Sequence, residues 1–303
     1  MLKIVFSRST SRARRHSAEE LQDLCARDAA RARRRISVPP AGSILRGALA
    51  RRGLRLCAAL LAFVTWLAAC GQSVSVPAPR KPPGKLVDPA TAGAVAGRVN
   101  LKGEIPKSAA VRMSSDSYCV QANPGQPLDD SMLVATDGAV RNVFVYVRSD
   151  LSAYAFDTPT VPVRLEQRPC RFRPHVLGLR AGQPLEIVNQ DDTLHNVHAI
   201  TRVNDDFNIG AVRGAVTRRT FAAPETMITF RCDVHSWMTA YAGVVSHPYF
   251  AVTGADGRFD LKGLPPGDYE VAAWHERLGT RTARVSVGPS ERKEIEFTFV
   301  GTT

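Results

Sequence analysis

The chain of 303 residues lacks the signatures of most enzyme classes. It contains no serine-nucleophile motif, no glycine-rich loop for phosphate and no pair of carboxyl groups arranged for acid–base catalysis. Sustained helical repeats of apolar residues are absent after residue 92, and no apolar run reaches the roughly 20 residues that span a bilayer. These absences argue against an enzyme and against an α-helical fold.

Acidic residues are scarce only at the front of the chain. The formal net charge is +12, but residues 1–69 hold 14 Lys and Arg against 4 Asp and Glu, while residues 70–303 hold 26 against 24. The basic run Arg31–Arg35 has no accompanying signal of a nucleic-acid-binding fold. We therefore expect no nucleic acid as a partner. Residues 1–50 are expected to be a non-native or disordered basic extension, with the true start near residues 45–54.

The most marked apolar run, Leu56–Ala69, follows a basic stretch at residues 51–55 and ends in Leu67-Ala-Ala-Cys70. Its length suits the apolar region of a signal peptide. The ending resembles the cleavage box of bacterial lipoproteins. This resemblance implies that residues 51–70 are a signal peptide, that Cys70 is lipidated, and that the lipid anchors the protein to a membrane of the cell envelope, in the periplasm and at the outer membrane. The alternative is an uncleaved N-terminal anchor.

Composition changes again after the signal region. Residues 71–92 contain five prolines and cannot build a core, so we expect a semi-rigid extended linker there. From about residue 93 the pattern is that of strands, because segments 94–101 and 140–147 alternate and are rich in β-branched or aromatic residues. The chain from residue 93 to 301 is therefore predicted to be all-β.

Six cysteines are few, yet one of them belongs to a dense group of possible metal ligands. Cys232, His235 and Met238 lie within seven residues, and His195 lies upstream of them. A thiolate, two imidazoles and a weak thioether suit copper best. Zinc is a weaker alternative, because Met is a poor fourth ligand in structural zinc sites. His198 follows His195 by three residues, a spacing that on a strand points it to the opposite face.

The spacing Cys-x2-His-x2-Met resembles the ligand loop of the cupredoxins of the amicyanin and plastocyanin type, and Asn-x-Asp…His-Asn around His195 resembles their first ligand segment. The resemblance covers residues 159–247 and implies a Greek-key cupredoxin fold, with Asn196 beside the Cys232 sulfur. It implies one type 1 (blue) copper per chain, bound by His195, Cys232, His235 and Met238. The di-copper centre of cytochrome oxidase is disfavoured, because it needs two cysteines in this loop.

In that family the ring edge of the last histidine lies near the surface, in an apolar patch where partners dock. The resemblance therefore places docking of a redox protein, as electron donor or acceptor, near His235. It makes Trp237 and Pro248 possible members of the patch. The function it implies is transfer of single electrons outside the cytoplasm, without catalysis.

The segments on either side of this domain carry a second resemblance. Residues 250–274 have the pattern of strands joined by turns, one of them Asp-Gly. With Gly97–Leu101 and Val143–Val147 they resemble a carboxypeptidase regulatory-like (transthyretin-like) β-sandwich. This implies a discontinuous sandwich of residues 93–158 and 248–301 into which the cupredoxin domain is inserted. The alternative is that 93–158 extend the cupredoxin barrel and that a separate small domain is fused behind it.

Four of the six cysteines are not expected to pair: two precede the expected cleavage site and would be removed, one is the lipidation site and one is a metal ligand. Cys119 and Cys170 remain, and in an oxidising compartment they are predicted to form a disulfide. The alternative is a second metal site made of Cys119, Cys170 and His175.

Two functions besides electron transfer stay open. One is a copper-binding or copper-handling lipoprotein that has no redox partner. The other is a surface β-sandwich that binds a polymer or a protein without metal. An intense thiolate-to-copper absorption band with reversible redox cycling separates the electron carrier from both.

Overall fold

The computed structural model describes residues 84–301, apart from residues 106 and 126. The predicted extension 1–50, the signal peptide 51–70 with Cys70, and most of the 71–92 linker lie outside the described residues. Among the residues described, no helix is both long enough and apolar enough to cross a membrane.

The regular structure of the described chain consists almost wholly of β-strands, which confirms the all-β prediction. Buried and exposed positions alternate along many of them, so one face of each such strand serves a core. The strands are β1 (Gly93–Lys102), β2 (Phe144–Val147), β3 (Val163–Gln167), β4 (Phe172–Arg173), β5 (Val176–Arg180), β6 (Pro184–Asn189), β7 (His195–Ile200), β8 (Phe207–Ala211), β9 (Val216–Thr220), β10 (Glu225–Arg231), β11 (Thr239–Val245), β12 (Phe250–Val252), β13 (Arg258–Leu264), β14 (Gly267–His275), β15 (Gly279–Val287) and β16 (Arg292–Val300). A short helix, α1 (Ser117–Ala122), lies between β1 and β2.

A first pair of sheets is formed by the two ends of the described chain. One sheet has the order β13-β1-β16 and the other β12-β2-β14-β15. Strand β1 pairs antiparallel with β13 and parallel with β16, and β2 lies between β12 and β14. Side chains of both sheets are fully buried in one cluster that includes Val99, Val145, Leu261, Val271 and Phe297. Burial of this apolar surface is what stabilises the pair.

A second pair of sheets is formed by the middle of the chain. Its sheets have the orders β5-β11-β10-β7-β8 and β4-β3-β6-β9. A separate buried cluster fills the space between them and includes Leu165, Leu185, Val197, Ile228 and Phe230. Cys232 and Met238 belong to the same cluster. The predicted ligand loop is therefore rooted in the core of this part.

The two pairs of sheets pack directly against each other where aromatic rings of the first pair contact glycine backbone of the second. Gly178 on β5 and Gly243 on β11 are partners in the parallel register. A Cβ at Gly178 would lie 2.4 Å from the Phe250 ring, and one at Gly243 would lie 2.3 Å from the Phe144 ring. Only glycine leaves room for these rings at such a distance. The two pairs of sheets are therefore in van der Waals contact at these two glycines.

The strands divide between the two pairs of sheets at residues 147–163 and 245–250. None of the described strand pairings joins β1 or β2 to residues 163–245, as an extended barrel would require. The assignment of the two parts to a discontinuous sandwich, 93–158 with 248–301, and an inserted cupredoxin domain, 159–247, stays a prediction.

A segment with little regular structure connects β1 to β2. Its part from Met113 to Asn123, which we call the cap, contains α1 and packs through Met113 and Cys119 against Cys170 and Trp237. Asn123 donates from Nδ2 to the carbonyl of Pro169 at 3.0 Å. The cap therefore lies beside the ligand loop although it comes from the other part of the chain.

Candidate metal centre

The candidate ligands lie at one end of the second pair of sheets because of strand order. Strand β10 pairs antiparallel with both β7 and β11, and Arg231 at its end faces His198 and Thr239. The loop 232–238 that joins β10 to β11 therefore emerges beside His195, the first residue of β7. Two backbone bonds close this loop, from Cys232 N–H to the Met238 carbonyl at 3.2 Å and from Met238 N–H to the His235 carbonyl at 2.9 Å.

Three of the four predicted ligand atoms converge. The ligand atoms of His195, Cys232 and His235 lie within 4.8 Å of one another. The Nδ1 atoms of the two histidines are 2.9 Å apart, and Cys232 Sγ is 3.8 Å from Nδ1 of His235. All three side chains are buried, and Met238 is buried in the same cluster as Cys232. The structure thus gathers a thiolate and two imidazoles in a space closed to bulk water, with the thioether in the adjoining core.

Each histidine turns its other ring nitrogen towards a carboxylate. His195 Nε2 lies 2.8 Å from Oδ2 of Asp191, and His235 Nε2 lies 3.1 Å from Oδ2 of Asp116. A hydrogen bond at Nε2 fixes the tautomer and leaves Nδ1 free to bind a metal. Both rings therefore have the orientation that a shared metal requires.

Asn196 links the first ligand strand to the ligand loop. Its backbone N–H, the donor expected beside the sulfur, lies 3.5 Å from Cys232 Sγ. Its side-chain Oδ1 accepts from Asp233 N–H at 2.5 Å, and its Nδ2 donates to Asp233 at 3.0 Å. A donor at the sulfur draws electron density away from a bound thiolate.

The local field favours a thiolate and one charged imidazole. Burial raises the pKa of Cys232, but hydrogen bonds from His195 and from backbone N–H groups outweigh it and hold this pKa below its ordinary value. Burial lowers the pKa of His195, yet hydrogen bonds to Asp191 and Cys232 raise it to about 9. Burial and the charge of His195 lower the pKa of His235. Nδ1 of His195 faces Nδ1 of His235 at 2.9 Å, so the proton that a charged His195 carries at this atom lies inside the group of converging side chains.

The expectation that the ring edge of His235 is exposed is wrong. His235 is only 2% exposed, because the cap and Trp237 cover it. The Trp237 ring centre lies 4.9 Å from that of His235, and its Nε1 donates to the Cys170 carbonyl at 3.0 Å. Pro248 is exposed but follows β11, whose other end carries the ligand loop, so it lies away from this site.

The predicted disulfide between Cys119 and Cys170 is present, with Cα atoms 5.6 Å apart. Its sulfur at Cys119 lies 3.9 Å from Nε2 of His235. Cys232 is the free cysteine of the described residues. The alternative second metal site is wrong, because Cys119 and Cys170 are bonded to each other and His175 pairs with Glu276.

Two further residues show what sequence reasoning reached and what it missed. His198 lies on β7 and contacts Asp233 at 3.3 Å, outside the converging group, as its spacing from His195 predicts. Asp116 was not among the candidates, since it lies 119 residues before His235 and belongs to no metal motif. The only sequence signal near it is Cys119, whose predicted partner precedes the first ligand strand.

No protein-family model and no curated protein sequence matches the chain. Several solved structures match parts of it. A copper-containing nitrite reductase from Thermus scotoductus SA-01 is 25% identical over 32% of this chain and 24% of its own, with a TM-score of 0.26. A purple cupredoxin from Nitrosopumilus maritimus is 17% identical over 27% of this chain and 97% of its own (TM-score 0.24). A Cu(I) amicyanin variant is 14% identical over 33% of this chain and 97% of its own (TM-score 0.25). This chain thus spans about a quarter of the reductase.

Proposed function

We propose that this protein binds one copper ion and carries single electrons. The ligands would be His195, Cys232, His235 and Met238. The observation that supports this most is the convergence of three buried donor atoms within 4.8 Å. Copper held by two imidazoles, a thiolate and a weak thioether exchanges one electron with little change of geometry.

The residues of the site supply what such a centre needs. Cys232 is already inclined to the thiolate form, which is the form that binds metal. The backbone bonds of the loop 232–238 fix the spacing of the ligands, and burial keeps water away from them. A site that is rigid and dry before the metal arrives reorganises little when charge changes.

We further propose electron transfer rather than catalysis, and a location outside the cytoplasm. In the described part of the chain, the groups of three or more possible metal ligands all overlap at this one site. The Cys119–Cys170 disulfide favours an oxidising compartment, in agreement with a lipid anchor at Cys70.

Docking of a redox protein near His235 needs a surface other than the covered ring edge. Exposed apolar side chains lie around the site at Leu194 (51% exposed), Val212 (66%) and Val234 (50%). His195 and Ala211 are partners across β7 and β8, so Leu194 and Val212 continue that pair side by side. We propose these three residues as the docking patch.

The test is protein-film voltammetry of the purified, copper-loaded protein, with copper counted by elemental analysis. We expect one copper per chain and a reversible one-electron wave. Tight Cu(I) binding without reversible oxidation would favour the copper-handling function. A protein that retains no copper would leave the β-sandwich binding module as the better explanation.

Copper affinity should depend steeply on pH. The proton that His195 holds at Nδ1 must leave before this atom can bind metal, and a pKa of about 9 keeps that proton bound at neutral pH. Loss of this proton alone should make the apparent affinity rise about tenfold per pH unit below about pH 9, and the rise should level off above that pH. Competition with a chelator at stepped pH measures this. An affinity that stays constant from neutral pH to pH 9 would contradict it.

A further inference from the structure

We propose that Asp116 is a positioning residue of the metal centre: it holds the His235 ring with Nδ1 towards the metal, and the Cys119–Cys170 disulfide holds Asp116 in place. This inference rests on the proposed function. Asp116 comes from the cap, outside both ligand segments, so the resemblance of the ligand motifs assigns it no role.

The Asp116 carboxylate is itself held at both oxygens. Oδ1 accepts from the backbone N–H of Cys119 at 3.0 Å, and Oδ2 accepts from Oγ1 of Thr193 at 2.8 Å. The same Oδ2 faces Nε2 of His235 at 3.1 Å. A carboxylate with so little freedom accepts the Nε2–H bond in one geometry, and it therefore selects one tautomer and one ring orientation of His235.

The disulfide connects the two halves of this arrangement. Cys119 donates from its backbone N–H to Asp116, as described above. Cys170 donates from its backbone N–H to Oδ2 of Asp191 at 2.7 Å, and that carboxylate faces His195. Each half of the disulfide thus anchors the carboxylate behind one histidine. Tyr118 of the cap adds a bond from its hydroxyl to Asp191 at 3.2 Å.

Besides the disulfide, the cap is held over His235 by side-chain hydrogen bonds of Tyr118 and Asn123 and by the packing of Met113. Its helix α1 has six residues, too short to persist by itself, and both half-cystines are fully buried. The disulfide is the covalent connection of the cap to the second pair of sheets. Because the cap carries Asp116, breaking the disulfide should make the position of Asp116 less fixed and so weaken its hydrogen bond to His235.

Removal of Asp116 should have two measurable effects. In the metal-free protein, His235 should lose its preference for the Nε2–H tautomer. In the loaded protein, copper affinity should fall by about 10–100-fold, the cost of losing an outer hydrogen-bond partner of a ligand. The reduction potential should rise, because a negative charge that favours Cu(II) over Cu(I) is gone.

The experiment compares the parent protein with Asp116→Asn, Asp116→Glu and Asp137→Asn. Nitrogen NMR of the His235 ring in metal-free protein reports the tautomer, and chelator competition reports the copper affinity. We expect Nε2–H in the parent, a mixture and weaker binding in Asp116→Asn, and partial recovery in Asp116→Glu. Asp137 pairs with Arg98 outside the site, so Asp137→Asn is the control and should match the parent.

A further variant tests whether the effect of Asp116→Asn comes from a local folding defect. Cys119→Ser with Cys170→Ser keeps Asp116 but frees the cap, and it should shift the tautomer in the same direction. Adding Asp116→Asn to it should then change little, since residues that act as one unit are not additive. An unchanged tautomer and affinity in Asp116→Asn, with a parent that binds copper, would overturn the inference. A parent that binds no copper would sink the proposed function, and the tautomer would still decide the role of Asp116.

Discussion

Replacing Cys232 by serine is expected to weaken copper binding by more than about 100-fold, because even the loss of an outer partner of a ligand costs about 10–100-fold. The intense visible absorption expected of the copper-loaded parent should vanish with the thiolate. Serine is close to cysteine in size, and the backbone N–H of Asn196, 3.5 Å from Sγ, can donate to its hydroxyl instead. The fold should therefore survive, and the loss should be one of metal chemistry.

Chelator competition and an optical spectrum measure both effects. Ser236 lies in the same loop with an exposed side chain, so Ser236→Ala is a matched control that should leave affinity and spectrum unchanged. If the visible band survived in Cys232→Ser, the thiolate could not be its source. The ligand assignment would then have to be abandoned.

Replacing Cys119 and Cys170 together by serine is expected to lower the free energy of unfolding by about 4 kcal/mol, the loop-entropy value for a disulfide closing a loop of this length. The two residues are 51 apart in the chain, so the unfolded state gains much freedom when the bond is lost. Urea denaturation of metal-free protein measures the difference.

Chemical reduction supplies the control for this second variant. A dithiol reductant should destabilise the parent by a similar amount and leave the double variant unaffected, since the bond that it breaks is already missing. A loss below about 1 kcal/mol would contradict this expectation, because the unfolded state would then have gained little freedom from the loss of the bond.

Local patterns in the sequence predicted which side chains would meet at the end of the second pair of sheets. Cys232 and His235 share one loop, and His195 begins a strand that pairs with the strand before it, so short-range spacing and antiparallel order bring them together. Alternation of apolar residues, which is also a short-range pattern, predicted the all-β architecture. The pairing of Cys119 with Cys170 followed from counting cysteines by compartment.

The features that the sequence patterns did not predict depend on contacts between segments far apart in the chain. The cap reaches His235 from 119 residues upstream, and nothing in the ligand loop indicates that a helix and a carboxylate cover its histidine. His175 likewise finds its partner, Glu276, in the C-terminal part of the chain. The ligand motif alone therefore led to three side chains that do converge, and its implication that the edge of His235 is exposed was wrong.

The burial of His235 also alters how electrons are expected to enter and leave. In this structure Trp237 packs on the His235 ring and the cap lies over it. A partner at Leu194, Val212 and Val234 would approach the site beside the cap instead of over the ring edge. Charged substitutions in this proposed patch should slow exchange with a redox partner while leaving the spectrum of the centre unchanged.

The measurement that tests the central claim most directly is the optical and EPR spectrum of the purified protein with one equivalent of Cu(II), after unbound metal is removed. Our account predicts one copper per chain, an intense visible charge-transfer band that bleaches on reduction and returns on oxidation, and the EPR signal of a single thiolate-bound Cu(II). A colourless protein that retains no copper would contradict the account at its foundation.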